Sequence, residues 1–246
     1  RAWHGGEKEI IMPQTYGGKD EWKKHYDYLL MFFKDNRYIK IDNKPLFILY
    51  RTSSIEDCTQ MIEYWNKLCK EDGFDGIYII EELNSYQNQK YCSNSDAVIE
   101  FEPMYTISYD VNLYIKIRRR IKSFIRKRIA TDKLIEFYDY DYIWNKIINR
   151  KRNCINKKIF LGAFVDWDNS ARKKNNGAIF KGASPQKFKS YLKKQLDVSK
   201  ELNNEFLFIN AWNEWGEGTY LEPDKKNEFK YLEAVRDAIK ENREKN

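Results

Sequence analysis

Residues 206–224 read FLFINAWNEWGEGTYLEPD, and they place two carboxylates three positions apart, Glu214 and Glu217, with Trp215 between them and glycine at 216 and 218. In extended backbone those two side chains would point to opposite faces. A glycine tolerates positive φ at little cost, so a sharp turn here can bring both acids to one rim. Two carboxylates sharing a partly desolvated site repel, and one then keeps its proton while the other ionises. Cleavage or transfer of a glycosidic bond needs that division between a proton donor and a base or nucleophile. Trp212 and Trp215 offer flat apolar faces for the C–H surface of a sugar, and Asn213 a polar contact for its hydroxyls. The plainer alternative is that the tryptophans plug the end of a strand layer while the glutamates are solvated.

Other residues could join such a site. FVDWDNSARKK (164–174) supplies Asp168 and Arg172 for hydroxyl or anionic groups and Trp167 as a stacking face. Asp168 could equally cap its own loop through an Asx-turn. Glu100 is either a ligand contact or a paired structural acid. Arg51 could hold a carboxylate or phosphate, or form a surface ion pair.

Five short apolar runs must position these groups: 45–51, 75–83, 96–103, 159–168 and 206–215. Continuous Ile, Leu, Val and Phe without polar alternation predicts strands covered on both faces, as in a parallel sheet. Helical patterns alternate with them over 20–35, 54–71, 184–202 and 227–245, with Ser54 and Ser184 as N-caps and Pro185 at a first helical position. That alternation predicts an α/β fold. Each strand also ends in polar residues: Arg51; Glu81 and Glu82; Glu100 and Glu102; Asp166 and Asp168; Asn213 and Glu214. Parallel α/β proteins carry their chemistry at the carboxyl ends of strands, so the five ends point to a shared polar site. EIIMPQ (9–14) could be a sixth strand, though a short one.

At 246 residues the chain suits one domain. Four scattered cysteines (Cys58, Cys69, Cys92, Cys154) and two histidines, His4 and His25, make a structural zinc site a poor reading. Free thiols fit a reducing, cytoplasmic compartment. Nothing in the sequence calls for a metal or organic cofactor. The net charge of +7 comes from one segment, 104–158, with 15 Lys/Arg against 5 Asp/Glu. Within it YIKIRRRIKSFIRKRI (114–129) sets Ile117, Ile121, Phe124, Ile125 and Ile129 on one helical stripe among eight cations. Such a helix either packs its stripe on the fold or lies on an anionic membrane surface at the inner face. Nucleic acid is not an expected partner, because no recognition motif accompanies the charge.

NAWNEWGEGTYLEPD resembles the signature of WbsX-type proteins of bacterial polysaccharide gene clusters, which are called glycosyltransferases or glycoside hydrolase family 99-like proteins. PQTYGG (13–18), YIKIDNKPLFILYR (38–51), DAVIEF (96–101), VDWDNSARK (165–173) and ASPQKFKSYL (183–192) follow the family's order, so the resemblance spans nearly the whole chain. It implies a (β/α)8 TIM-type barrel. Such a barrel takes about 250 residues, and the basic insert at about 104–158 uses many of them. The expectation is therefore a single partial barrel, N-terminally truncated, holding its last five βα units. In glycoside hydrolase family 99 the related motif is Asn-Glu-Trp-His-Glu-Gly, matched here by Asn213, Glu214, Trp215, Gly216, Glu217 and Gly218. The resemblance implies Glu214 as the base that helps the sugar's own 2-hydroxyl attack, and Glu217 as the proton donor. Gly216 replaces the hydrolases' His, and with it one leaving-group or acceptor contact is lost. The partner implied is a poly- or oligosaccharide, and the basic helix would suit one carried on a lipid. Hydrolase, transferase and a non-catalytic glycan-binding barrel all remain open on the residues.

Overall fold

The computed structural model describes residues 10, 12–84, 94–126, 134–152 and 157–244. The chain forms two compact units, Arg1–Ile99 with Asn156–Lys158, and Glu100–Ile155 with Ile159–Asn246.

The first unit begins with α1 (Lys19–Phe33), β1 (Lys40–Ile41) and β2 (Lys44–Leu49), and continues through α2 (Cys58–Glu71), β3 (Tyr78–Leu83) and all but the last residue of β4 (Ala97–Glu100). Its strands lie in the order β1-β2-β3-β4, with β2 and β3 parallel and Leu46 opposite Tyr78. β1 is antiparallel to β2, a tight hairpin whose Asp42 and Asn43 both take positive φ. The sequence pattern does not announce it, because two residues are too few to show a period. The helices α1 and α2 bury Trp22, Tyr26, Phe33, Trp65 and Cys69 against Ile79. Ser54 does not cap α2. It ends a 3-10 turn, Thr52–Ser54, and the helix starts at Cys58 after Asp57. The described part of EIIMPQ lies in no strand; Glu9 and Ile11 fall outside the described residues, as do His4, Cys92, Ile129 and Cys154.

The second unit holds α3 (Met104–Tyr109), α4 (Leu113–Arg126), β5 (Glu136–Asp139) and α5 (Tyr140–Ile148), then β6 (Lys158–Phe164) except its first residue. It continues with α6 (Ser170–Lys173), β7 (Ala178–Lys181), α7 (Pro185–Glu201), β8 (Leu207–Asn210), the short pair β9 (Asn213–Glu214) and β10 (Thr219–Tyr220), and α8 (Lys230–Arg243). β6 and β8 are parallel, with Phe164 opposite Asn210, as their unbroken apolar runs predict. β5 and β7 form a second parallel pair that sequence reading passed over, since each is four residues long. Ser184 caps α7 as expected, its Oγ accepting from the Lys187 N–H at 3.2 Å, with Pro185 at the first turn. The core is aromatic: the Trp144 ring lies between Phe164 and Tyr191, stacked at 5.2 and 5.4 Å. Tyr140 Oη donates to the Val165 carbonyl at 2.8 Å, tying α5 to the end of β6.

A buried ion cluster anchors the start of this unit. Arg150 meets Glu100 at 2.6 Å, Glu102 at 2.7 Å and Asp110 at 2.6 Å, and Arg152 adds a second contact to Glu100 at 2.8 Å. The Glu102 carboxyl is pushed up by burial and held down by Arg150. Among the described residues no helix is long and apolar enough to cross a membrane. Removing one member of a buried ion pair strands its partner's charge, a loss of about 3–5 kcal/mol. Arg150→Met is expected to lower unfolding free energy by about that much in urea titration, and an effect below about 1 kcal/mol would show that solvent already screens these acids.

Candidate functional site

The carboxyl end of β8 runs into a compact turn. β9 and β10 pair antiparallel, Glu214 opposite Thr219 and Asn213 opposite Tyr220, and Trp215–Glu217 form one 3-10 turn between them. Gly218 closes it with φ +66, its N–H donating to the Trp215 carbonyl at 3.1 Å. A Cβ at 218 would stand 2.8 Å from both the N and the O of Asp168. Glycine is thus required twice, by the left-handed backbone and by the approach of a second chain segment. That segment is the loop after β6, whose Asp168 N–H donates to the Glu217 carbonyl at 2.9 Å. Thr219 is buried and donates its hydroxyl to the Asn210 carbonyl at 2.6 Å, fixing the turn to the strand end.

Glu214 is exposed, whereas Glu217 is partly buried, and its Oε1 accepts from Arg172 Nη1 at 2.7 Å. Burial raises the Glu217 carboxyl above its ordinary value. Arg172 and Lys173 pull it down, and the charge of Glu214 pushes it up. The Glu217 carboxyl therefore feels the charge of Glu214 across the turn. Trp212 and Trp215 are 54% and 50% exposed, unusual for tryptophan. Trp215 stacks on Tyr220 at 3.8 Å and donates its indole N–H to Glu222 at 2.6 Å, so its second face is held open and in place. With Pro223, Lys225 and Phe229 it lines a shallow hollow of about 580 Å³. Asn213 is exposed on β9. Asp168 spends Oδ1 on the N–H and hydroxyl of Ser170, at 2.9 and 2.6 Å, which is the Asx-turn of the plainer reading.

Two expected residues are committed to packing or ion pairs within the second unit, and a third belongs to the first unit. Trp167 is 2% exposed and packs in the aromatic core, so it presents no face for stacking; of its two flanking acids only Asp168 is exposed. Glu100 is enclosed by Arg150 and Arg152, a structural acid with its charge already compensated. Arg51 belongs to the first unit, exposed ahead of the Thr52–Ser54 turn. The same unit holds Glu81, buried and accepting from Thr52 and Ser95, and Glu82, whose carboxyl burial pushes up to about 8. The polar strand ends thus serve different purposes. Asp166, which the sequence marks only as a polar strand end, has its carboxyl pushed up by burial to about 6, and its charge is felt by Tyr220. Its place at the end of β6 was the available signal. Among the described residues no group of three or more His, Cys, Asp or Glu is placed to hold a metal ion.

The chain matches the family model for glycosyltransferase WbsX over residues 1–235. It is 22% identical over 244 residues to WxcX, an uncharacterized protein of Xanthomonas campestris pv. campestris, in strains B100 and ATCC 33913; the match covers 97% of this chain and 33% of each relative. It therefore spans about a third of the length of these curated relatives. Among solved structures it is similar to a glycoside hydrolase-like protein, with TM-score 0.58 and 14% identity over 94% of this chain and 64% of that one. It is also similar to the GH99 endo-alpha-mannosidase of Bacteroides thetaiotaomicron, with TM-score 0.55 and 14% identity over 95% and 65% of the two chains. The α/β fold is that of these proteins. The family model is described as a glycosyltransferase, and the two solved neighbours as a glycoside hydrolase-like protein and an endo-alpha-mannosidase. The chain belongs to the glycosyltransferase WbsX family.

Gly218→Ala is expected to cost at least about 1–2 kcal/mol from left-handed strain alone. Gly218→Asn tolerates that backbone better but still drives a Cβ into Asp168, so it should destabilise comparably in urea unfolding; full rescue by Asn would show that the close approach is not a constraint.

Proposed function

We propose that the chain acts at a glycosidic bond of a bacterial surface polysaccharide, on a (β/α)-barrel scaffold, with Glu217 as the proton donor and Glu214 as the base. The reading is carried by one observation: a single turn holds a partly buried carboxyl with a raised proton affinity beside an exposed carboxylate and two exposed tryptophans. Glu217, whose carboxyl burial makes easier to protonate than usual, delivers the proton to the leaving oxygen in this reading. Glu214 takes the proton of the attacking hydroxyl at the anomeric carbon, and whether the final acceptor is water or a second sugar decides hydrolysis or transfer. Arg172 steadies Glu217 when it becomes an anion, and its geometry keeps Oε1 in register. Trp212 and Trp215 seat the sugar ring, with Asn213 and the second oxygen of Asp168 for its hydroxyls. The same turn without chemistry would make a glycan-binding barrel, and product analysis separates the two.

Glu214→Gln and Glu217→Gln should each lower turnover of the cognate polysaccharide by about 10² or more with an unchanged circular dichroism spectrum. Rates within a few-fold of wild type, or saturable binding with no product from wild type, would overturn the assignment. The alkaline limb follows from the sign of the shift. As pH rises through the Glu217 value the donor is lost and the rate falls; Arg172→Leu removes the charge that lowers that value, so the limb should move to higher pH.

We further infer that the substrate is presented at an anionic lipid surface. Leu113, Tyr114, Ile117, Ile121 and Phe124 stand exposed along α4, and cations flank them. Flotation with phosphatidylglycerol vesicles should recover the chain, and Ile121→Glu with Phe124→Glu should weaken recovery by about tenfold or more. Equal recovery of the variant would remove the membrane from this reading.

A further inference from the structure

The other side of α4 faces a cavity. Lys116, Arg119, Arg120 and Ser123 recur at three- and four-residue intervals, so they project together. They line a hollow of about 530 Å³, within the range of small-molecule sites, closed on another side by Asn169, Lys173 and the backbone near Gly177. Four of its lining side chains are cationic, and the one acid among them, Glu136, is already held by Arg118 at 3.0 Å and Lys122 at 3.6 Å. Lys116 and Arg119 donate to the carbonyls of Tyr109 and Ile107, at 2.8 and 2.7 Å. Those bonds fix the heads in the wall but leave their charge uncompensated. Arg120 and Lys173 make no ion pair among the described residues. Like charges converging on one hollow repel, and the arrangement is relieved only by an anion. A uronate carries one charge, which a single Arg would satisfy. Several cations around a shared centre match the multiple oxygens and higher charge of a phosphoryl group.

The cavity is also tied to the rim. Lys173 follows Arg172, the partner of Glu217, and its charge reaches the Glu217 carboxyl. We propose that this cavity binds a phosphate or diphosphate carried by the glycan substrate, holding it beside the Glu214–Glu217 turn. The binding stands on the cavity alone; only its place in a reaction rests on the proposed function.

The test is calorimetric titration of the chain with inorganic pyrophosphate, inorganic phosphate and glucuronate. Saturable binding is expected for pyrophosphate, weaker binding for phosphate and none for glucuronate. Arg120→Gln and Lys173→Gln should each weaken pyrophosphate by about tenfold or more, the scale of a lost charge-assisted hydrogen bond. Glu214→Gln should leave that affinity unchanged, so loss of turnover and loss of anion binding are read separately. Vesicles containing phosphatidic acid distinguish the source: displacement of pyrophosphate assigns the site to a lipid-borne phosphate, and no displacement assigns it to a soluble one. Absence of saturable pyrophosphate binding, equal binding of glucuronate, or unchanged affinity in both variants would overturn the proposal.

Discussion

A backbone contact that leaves no room for a side chain governs the candidate site. At residue 218 the chain turns left-handed while lying against the Asp168 peptide, and only glycine satisfies both demands. Once that contact is made, the hydrogen bond from Asp168 to the Glu217 carbonyl fixes the turn, and Arg172, four residues beyond Asp168, reaches the Glu217 carboxylate. Glu214 and Trp215 follow because they are part of the same few residues. The separation of the two acids in sequence is therefore less informative than the glycine that folds them back.

The second unit uses its acids in two ways, and the difference is how fully each charge is compensated. Glu100 and Glu102 are buried with guanidinium groups on their oxygens, an arrangement that ties the start of the unit together. Glu217 has one guanidinium on one oxygen and remains partly open, so burial still outweighs the ion pair and the carboxyl stays easier to protonate than usual. Incomplete compensation is what chemistry at a carboxylate requires. The cationic cavity beside α4 shows the same imbalance with the sign reversed.

Much of the scaffold was legible because it repeats. The apolar runs ending at Leu49, Leu83 and Phe164 are strands, and Ser184 with Pro185 opens α7 where its hydroxyl and fixed φ require. The turn at 213–218 was legible from its glycines. What the sequence hid depends on direction and partners. Trp167 alternates with Asp166 and Asp168, and nothing local says which of the three faces the core; the aromatic cluster decides. Glu100 looks like a site residue until Arg150 and Arg152, some fifty positions later, are found on it. β5 and β7 are too short to show a period, and Ser54 loses its place as a cap to a 3-10 turn that delays α2.

Titration of the Glu217 carboxyl carbon by NMR measures directly how strongly the charge of Glu214 acts on it across the glycine-closed turn. The expected result is a value above the ordinary 4.5 that falls in Glu214→Gln, when the repelling charge is removed, yet stays elevated because burial is the larger cause. A Glu217 carboxyl titrating at or below 4.5, and indifferent to residue 214, would contradict the account.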